Sequence, residues 1–368
     1  MDPISDQICK QVLRWRGLGV QAEAAQPSGL EPLAGRTVLV TGSAGSIGGA
    51  IARRLAGSGV ERLILLDMCE AGQFRLERAL EGYAVRSEIC LGDIADGPFV
   101  QHVFDQYRPN VVLHAAAYKH VPMLETHPRA ALRANVVGTK RLAEAAETSG
   151  CERLVMVSTD KAVSPVGVMG WTKKLAEMYL RSRSLDGRCA CTSVRFGNVI
   201  ESSGNVFELF ARQIAGGGPL PVTDPRAERY FMTLAEASSL VPRAATVGHG
   251  GDVLVLNMGR PVRIECIARK MAEMAGLDPD EAISLVGLRP GERLDERLYN
   301  DDERAVATGS PGISRAEGPR PVTAEMDRIV SMLEDAVETS VGEAARCLRC
   351  VTSELAESGV ESGLADAI

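Results

Sequence analysis

Long apolar runs are missing from this 368-residue chain. No stretch approaches the ~20 uncharged apolar residues that a helical membrane span needs. The first residues, MDPISDQICKQVLRWRG, carry no secretory cleavage pattern. No membrane partner and a cytoplasmic location are therefore expected. An excess of basic charge is missing too. The net charge of -7 argues against nucleic acid as a main partner, because such proteins usually present a basic face. Lysine is scarce: only Lys10, Lys119, Lys140, Lys161, Lys173, Lys174 and Lys270 occur, so each invites a question. None of the five His has metal-ligand spacing, and neither a Ser-His-Asp arrangement nor a nucleophile elbow is present. The nine cysteines are odd in number and lack framework spacing, so they read as free thiols. Cys347 and Cys350 form a lone CxxC on a helical segment. With no second pair nearby, no metal site is expected.

What remains is an ordinary globular composition, 45% hydrophobic and 24% charged, with length for roughly two domains. After a polar arm, short apolar runs alternate with helical patterns. Strands are predicted at Thr37–Val40, Leu63–Leu66, Ser87–Leu91, Val111–His114, Leu154–Val157 and Thr192–Phe196. Helices are predicted over 46–56, 74–80, 130–146 and 168–182. Buried apolar strands separated by helices define an α/β fold with a doubly wound parallel sheet. Beyond Asn198 the pattern loosens into Gly- and Pro-rich pieces such as GGGPLPVTDP and GLRPGE. These suggest a smaller domain closing over the carboxyl ends of the strands. Segment 301–322 is polar and turn-rich, and 323–368 reads as helical with a fraying end.

TGSAGSIGG follows the first strand and opens a helix. Glycine there permits positive φ and close backbone approach, and a helix N-terminus offers N–H groups to a pyrophosphate. Gly42, Ala44, Gly45, Ser46, Ile47 and Gly48 are thus candidate cofactor residues. Asp67 lies about 20 residues further, at the end of the second strand. An acid there bonds ribose hydroxyls and repels a 2′-phosphate, which favours NAD over NADP. Asp93, with Ile94, follows the third strand and is placed to meet an adenine amino group, or to cap a turn. Ala115, Ala116 and Ala117 follow the fourth strand and are small enough for a flat cofactor to approach.

Together, VLVTGSAGSIG (38–48), HAAAYKHVPMLE (114–125), ANVVGT (134–139), VSTDKAVSPVGVMGWTKKLAE (157–177), VRFGNV (194–199), RYFMT (229–233) and GLRPGE (287–292) resemble the extended short-chain dehydrogenase/reductase family. More narrowly they resemble bacterial nucleotide-sugar 4,6-dehydratases of the capsular and flagellar type, which act on UDP-N-acetylglucosamine. The resemblance covers about residues 36–300. It implies a Rossmann fold with a C-terminal substrate-binding domain: an arm at 1–35, an NAD-binding domain at 36–200, a mainly substrate-binding part at 201–310 with segments returning to the first domain, and a helical tail at 311–368. A UDP-sugar substrate and a homo-oligomer are implied as well.

Short-chain dehydrogenases use Tyr-xxx-Lys on one helix face. Here those positions are Met169 and Lys173. Met cannot move a proton, but one subgroup of these dehydratases carries Met, with a hydroxyl matching Thr159, or water, serving O-4. The resemblance makes Lys161 the C-5 base and Asp160 the acid at C-6. This chemistry requires a neutral amine and a protonated carboxyl, so both pKa values are expected to move. Lys173 is expected at the nicotinamide ribose. Lys119, His120, Asn198, Arg229, Arg289 and Glu292 are candidates for the substrate, the arginines because a guanidinium matches phosphate oxygens. Asn135 reads either as a site residue or as a buried amide satisfying backbone groups. Glu201, Asn205 and Trp171 depart from the family pattern and are expected beside the sugar. A sugar 4-epimerase, a dehydratase that also inverts C-5, and a non-catalytic NAD-sensing regulator are the alternatives.

Overall fold

The computed structural model describes residues 29–183 and 189–357. Most of the expected arm and the expected frayed end lie outside them. A nine-stranded sheet forms the centre. Its chain-order elements are β1 (Thr37–Thr41), α1 (Ser46–Ala56), β2 (Arg62–Asp67), α2 (Glu70–Leu80), β3 (Arg86–Leu91), α3 (Gly97–Tyr107) and β4 (Val111–His114). Then come α4 (Val121–Glu125), α5 (Pro128–Leu132), α6 (Gly138–Thr148), β5 (Arg153–Val157), α7 (Val168–Arg183) and β6 (Ala190–Arg195). The strands run β3-β2-β1-β4-β5-β6 in parallel, the doubly wound order with its crevice between β1 and β4.

All but the edge strand β3 bury both faces, which is why they read as continuous apolar runs. Leu39, Ile64, Leu66, Val112, Leu154 and Met156 pack on one side with α3, α6 and α7. Val38, Val40, Leu63, Leu65, Leu113 and Val155 pack on the other with α1. The coarse sequence pattern passes over α3, although Asp96 caps it by accepting a hydrogen bond from Phe99 N at 3.1 Å. The helix expected over 130–146 is not uniform: between α5 and α6 the chain makes a π-helical turn, Arg133–Val137. Such turns often sit at functional sites.

The later elements are β7 (Asn198–Val199), α8 (Val206–Ala215), β8 (Leu220–Val222), β9 (Glu228–Arg229), β10 (Phe231–Met232), α9 (Leu234–Val247), β11 (Val253–Leu256), β12 (Val262–Arg263), α10 (Ile264–Met274), α11 (Pro279–Ala282), β13 (Ile283–Leu285), β14 (Arg304–Ala307), β15 (Ile313–Glu317), α12 (Thr323–Thr339) and α13 (Val341–Glu357). β11 joins β6 in parallel. β15 and β14 extend that edge antiparallel, so part of the polar stretch 301–322 is edge strand rather than loop. Phe207, Phe210, Leu220, Val222, Phe231, Ile267 and Met271 form a separate small core above the carboxyl edge. The tail helices are not appendages. Met326, Ile329, Val330 and Leu333 of α12 are fully buried in the core that holds α7, and each such side chain contributes about 1.5–3 kcal/mol. Trp171 is completely buried in that same core. It therefore lies away from the sugar position expected for it.

Candidate active site at the carboxyl edge of the sheet

Three adjoining pockets run along the carboxyl ends of the parallel strands, sharing residues where they meet. The first is lined by Gly42, Gly45, Asp67, Asp93, Ile94 and Ala115–Ala117. Gly42 has φ 68°, and a Cβ there would stand 2.5 Å from Ala116 N. A Cβ on Gly48 would stand 2.2 Å from Gly42 O. Glycine at 48 therefore seats α1 against the turn. Gly45 caps α1 without a side-chain bond, so the first N–H groups of α1 are free of a side-chain cap and suit a pyrophosphate.

Asp67 accepts hydrogen bonds from Ala44 N at 3.0 Å and Cys69 N at 2.8 Å. Each carboxylate oxygen keeps a lone pair for a ribose hydroxyl. Asp93 lines the pocket but is also a turn residue: it accepts from Ala95 N at 2.9 Å and pairs with Arg133. Beneath the turn, His114 bonds Thr41 Oγ1 at 2.8 Å and Thr139 Oγ1 at 2.9 Å. Burial, then the charge of Lys173, lowers its pKa to about 3, so it stays neutral. These features fit a dinucleotide: a glycine cradle that a Cβ would fill, an open helix N-terminus and a carboxylate at the end of β2.

The second pocket holds Ile47, Ala115, Lys119, Ser158, Thr159, Lys161, Met169, Lys173 and Asn198. Thr159 Oγ1 donates to Asp160 Oδ1 at 2.9 Å and accepts from Lys161 N at 3.3 Å. Lys161 Nζ donates to Asp160 Oδ1 at 3.0 Å. Met169 and Lys173 share one face of α7, as their spacing predicts, and both are buried. Burial lowers the pKa of Lys173 to about 8, against an opposing pull from Glu177. Burial also pushes Lys161 down, but Asp160 and then Glu296 outweigh it, so its pKa is raised. The shift is opposite to the one that the base role calls for: Lys161 is held as an ammonium in an ion pair with Asp160.

The third pocket takes in Lys119, His120, Lys161, Asn198, Arg229, Arg289, Glu292 and Glu296. Arg229 differs from its expected part. Its guanidinium donates to the carbonyls of Glu228 at 2.7 Å, Leu294 at 2.9 Å and Arg293 at 2.7 Å, and its Nε lies 3.6 Å from Glu296. It is a built-in charge rather than an open phosphate clamp. Glu292 accepts from Arg289 N at 3.1 Å and so orders the turn that presents Arg289. Lys119 donates to Ser202 Oγ at 3.1 Å. Asn135 is a buried amide: it accepts from Tyr118 N at 2.9 Å and donates to Tyr118 O at 3.1 Å and Thr172 Oγ1 at 3.0 Å, pinning the turn before Lys119.

Of the family departures, Asn205 lines the second pocket, whereas Glu201 accepts from Leu234 N at 2.9 Å, at the start of α9. Sequence reasoning missed Glu296, a buried carboxyl 3.4 Å from Lys161 Nζ. Lying 135 residues further along the chain, it shares no spacing signal with its partner. It also missed the segment that carries Glu296. Arg293 donates to Val163 O and Ser164 O, and Asn300 accepts from Ser164 N at 3.1 Å. Together they hold Ser164 at φ 40°, strained for a non-glycine residue.

The topology, the glycine turn and the Met-xxx-Lys helix define an extended short-chain dehydrogenase/reductase. The model of the family described as polysaccharide biosynthesis protein matches residues 38–318, and the chain belongs to that family. It is 40% identical over 306 residues to the capsular polysaccharide biosynthesis protein CapD of Staphylococcus aureus, covering 82% of this chain and 51% of the relative. The chain thus spans about half the length of such relatives. It is 32% identical over 280 residues to a UDP-glucose 4-epimerase of Rickettsia rickettsii, 74% of this chain and 80% of the relative. Among solved structures, Pen from Bacillus thuringiensis aligns with a TM-score of 0.73 at 29% identity, covering 79% of this chain and 92% of Pen. At 21% identity, DesIV from Streptomyces venezuelae, a dTDP-glucose 4,6-dehydratase with NAD bound, shares the fold with a TM-score of 0.65, over 71% of this chain and 88% of DesIV.

Among the described residues no helix is long and apolar enough to cross a membrane, and no cluster of His, Cys, Asp and Glu fit to hold a metal occurs. Cys347 and Cys350 are free thiols on α13.

Proposed function

We propose that this chain is an NAD-dependent nucleotide-sugar 4,6-dehydratase acting on UDP-N-acetylglucosamine or a close UDP-sugar, in the cytoplasm and as a homo-oligomer. The observation that supports it best is the acid-base cluster in which Thr159 and Lys161 meet the buried carboxyls of Asp160 and Glu296. Inversion at C-4 needs proton exchange at O-4 alone. Elimination across C-5 and C-6 needs, in addition, a base for the C-5 hydrogen and an acid for the departing hydroxyl, and this cluster offers an amine in contact with carboxyls.

NAD would be held by the glycine turn, Asp67, Asp93, Ile94 and Ala115–Ala117, and when bound supplies the oxidation at C-4 and the reduction at C-6. Lys173 would bond the nicotinamide ribose. Its depressed pKa places it close to release of its proton near neutrality. Thr159 would bond O-4 and hand its proton to water in the pocket, so that Asp160 Oδ1, on which the Thr159 hydroxyl rests, stays open for the proton of Lys161. Lys161 must lose a proton to serve as base, and Asp160 must gain one to serve as acid. A single transfer across the 3.0 Å bond from Lys161 Nζ to Asp160 Oδ1 produces both forms. Met169 shapes the pocket. Lys119, His120, Asn198, Arg289 and Glu292 line the side where the nucleoside diphosphate would lie.

The test is incubation of purified protein with a panel of UDP-sugars, followed by NMR. A 4-keto-6-deoxy product is expected. A 4-epimer with an intact C-6 hydroxyl identifies an epimerase instead, and inversion at C-5 the inverting class. Bound NAD without turnover on any sugar identifies a sensor. Denatured protein should release NAD; release of NADP would contradict the role given to Asp67.

A further inference from the structure

Lys161 is gripped from two sides. Asp160 Oδ1 lies 3.0 Å from its ammonium and Glu296 Oε1 3.4 Å. Both carboxyl side chains are buried, at 0% and 2% exposure. Glu296 Oε1 also lies 3.6 Å from Arg229 Nε, and the remaining oxygens, Asp160 Oδ2 and Glu296 Oε2, have no hydrogen-bond partner. The charged groups acting on Lys161 are Asp160, Glu296 and Arg229. Burial raises the pKa of Glu296, as does Asp160, while Lys161, Arg229 and Arg293 favour its carboxylate, and Tyr230 adjoins Asp160. Arg229 is fixed by three carbonyls, so its charge cannot swing away.

We infer that Glu296 is a positioning residue that sets the charge state of Lys161: its carboxylate neutralises Arg229 and keeps one transferable proton on the Lys161–Asp160 pair. This rests on the acid-base reading of that pair given above. The balance is simple. Lys161 ammonium, Arg229 guanidinium and two carboxylates sum to zero, with Arg293, fixed on the carbonyls of Val163 and Ser164, adding the same charge to either state. Moving one proton from Lys161 Nζ to Asp160 Oδ1 leaves a neutral amine, a neutral acid and the Glu296–Arg229 pair, again zero. Without the Glu296 charge, Arg229 would act unopposed on Lys161 and Asp160. Lys161 would then shed its proton to solvent at lower pH, and Asp160 would hold one less readily. The raised pKa of Lys161 agrees with this arrangement.

The test uses protein as purified, labelled with 13C at lysine Cε. Seven lysines give few signals, and that of Lys161 is identified by its loss in Lys161→Arg. In Glu296→Gln, which keeps shape and loses charge, its titration midpoint should fall by about one pH unit or more, as expected for an opposite charge removed at this distance. Glu296→Asp should keep the parent midpoint. The pH midpoint of C-5 deuterium exchange should fall with the Lys161 signal. A merely structural Glu296 would lower the amplitude of exchange and leave both midpoints in place, and that result overturns the inference. Should Glu296→Gln fail to fold, Arg229→Gln serves: it must move the Lys161 midpoint upward, and an unmoved midpoint again overturns the inference. If the Lys161 signal shifts as expected but no sugar is dehydrated, Glu296 keeps its role and the dehydratase reading falls. If the product forms and the signal does not shift, the reverse holds.

Discussion

The end of the cleft proposed to hold adenosine is built mainly of backbone and small residues from the first βαβ unit and the HAAA run, with the carboxylates of Asp67 and Asp93 beside them. The end proposed for the sugar is assembled from side chains as far apart in sequence as Lys119 and Glu296. At the first end, function follows from conformations that only certain residues permit: Gly42 at φ 68°, and Gly48 against the turn. At the second, it follows from which charges are buried together. A site set by backbone conformation tolerates almost no change of residue at its glycines. A charge cluster tolerates changes of shape and is governed by protonation. The two ends should therefore fail in different ways.

The largest effect is expected at the charged end. Lys161→Ala removes the proposed base, and general acid-base groups are typically worth about 10²–10⁴-fold. Dehydration and C-5 deuterium exchange should fall by that much, while NAD released on denaturation stays at the parent level. Turnover within a few-fold of the parent would remove Lys161 from the mechanism. Thr159→Val keeps the shape and loses the hydroxyl, and its loss should fall toward the lower part of the same range, with water able to replace the hydroxyl in part.

At the backbone end the contrast reverses. Gly42→Ala places a Cβ against the Ala116 backbone, which has no freedom to yield, and also costs about 1–2 kcal/mol for the left-handed conformation. Copurifying NAD should be lost and the Tm lowered, with no change in the pH profile of whatever activity survives. A variant that retained NAD fully would show that the turn is not the cradle described.

This division also explains what was legible in the sequence. The parallel sheet could be read because its strands, β3 aside, are buried on both faces, and the cofactor end because its residues lie within one strand-turn-helix unit. Lys161 and Asp160 were legible only through the family resemblance. Glu296 and the structural engagement of Arg229 were not legible, since nothing local in ERLDER marks a carboxyl that meets a lysine 135 residues earlier. Trp171 misled for the opposite reason: a neighbour of Met169 in sequence, it points into the core. The edge strand β14 was hidden because it is largely exposed, and β15 because its partly buried run ISRAE is short and polar.

Lys173 bridges the two ends, and its pKa gives a prediction with a definite sign. The folded value is about 8 against 10.5 for an unburied lysine. At 1.36 kcal/mol per pH unit, this is a destabilisation of about 3 kcal/mol when the side chain is charged. Because the folded pKa is depressed, the unfolded chain binds more protons between the two values, so this destabilisation is complete below pH 8 and disappears as pH rises toward 10.5. Lys173→Met should abolish activity and raise the Tm at pH 7, and its advantage over the parent should shrink in melts near pH 10. A Tm gain that is the same at both pH values would mean that the stabilisation comes from packing rather than from removal of a buried charge.

The smallest effect belongs to Met169, the residue whose identity departs most from the usual Tyr-xxx-Lys pair. It is 4% exposed, lines the pocket and carries no group that titrates. If Thr159 serves O-4, Met169 contributes volume and dryness alone. Met169→Leu conserves both, at a packing cost usually below about 1.5 kcal/mol, so kcat should stay within a few-fold of the parent and its pH profile should not move. Met169→Tyr is the sharper companion. It adds a phenol four residues before Lys173, on the same face of α7, where it could take over the O-4 proton. Combined with Thr159→Val it should recover part of the lost rate, whereas alone it should change little. A dead Met169→Leu variant, with normal NAD content and an unchanged Tm, would assign the sulfur a part that pocket shape does not explain.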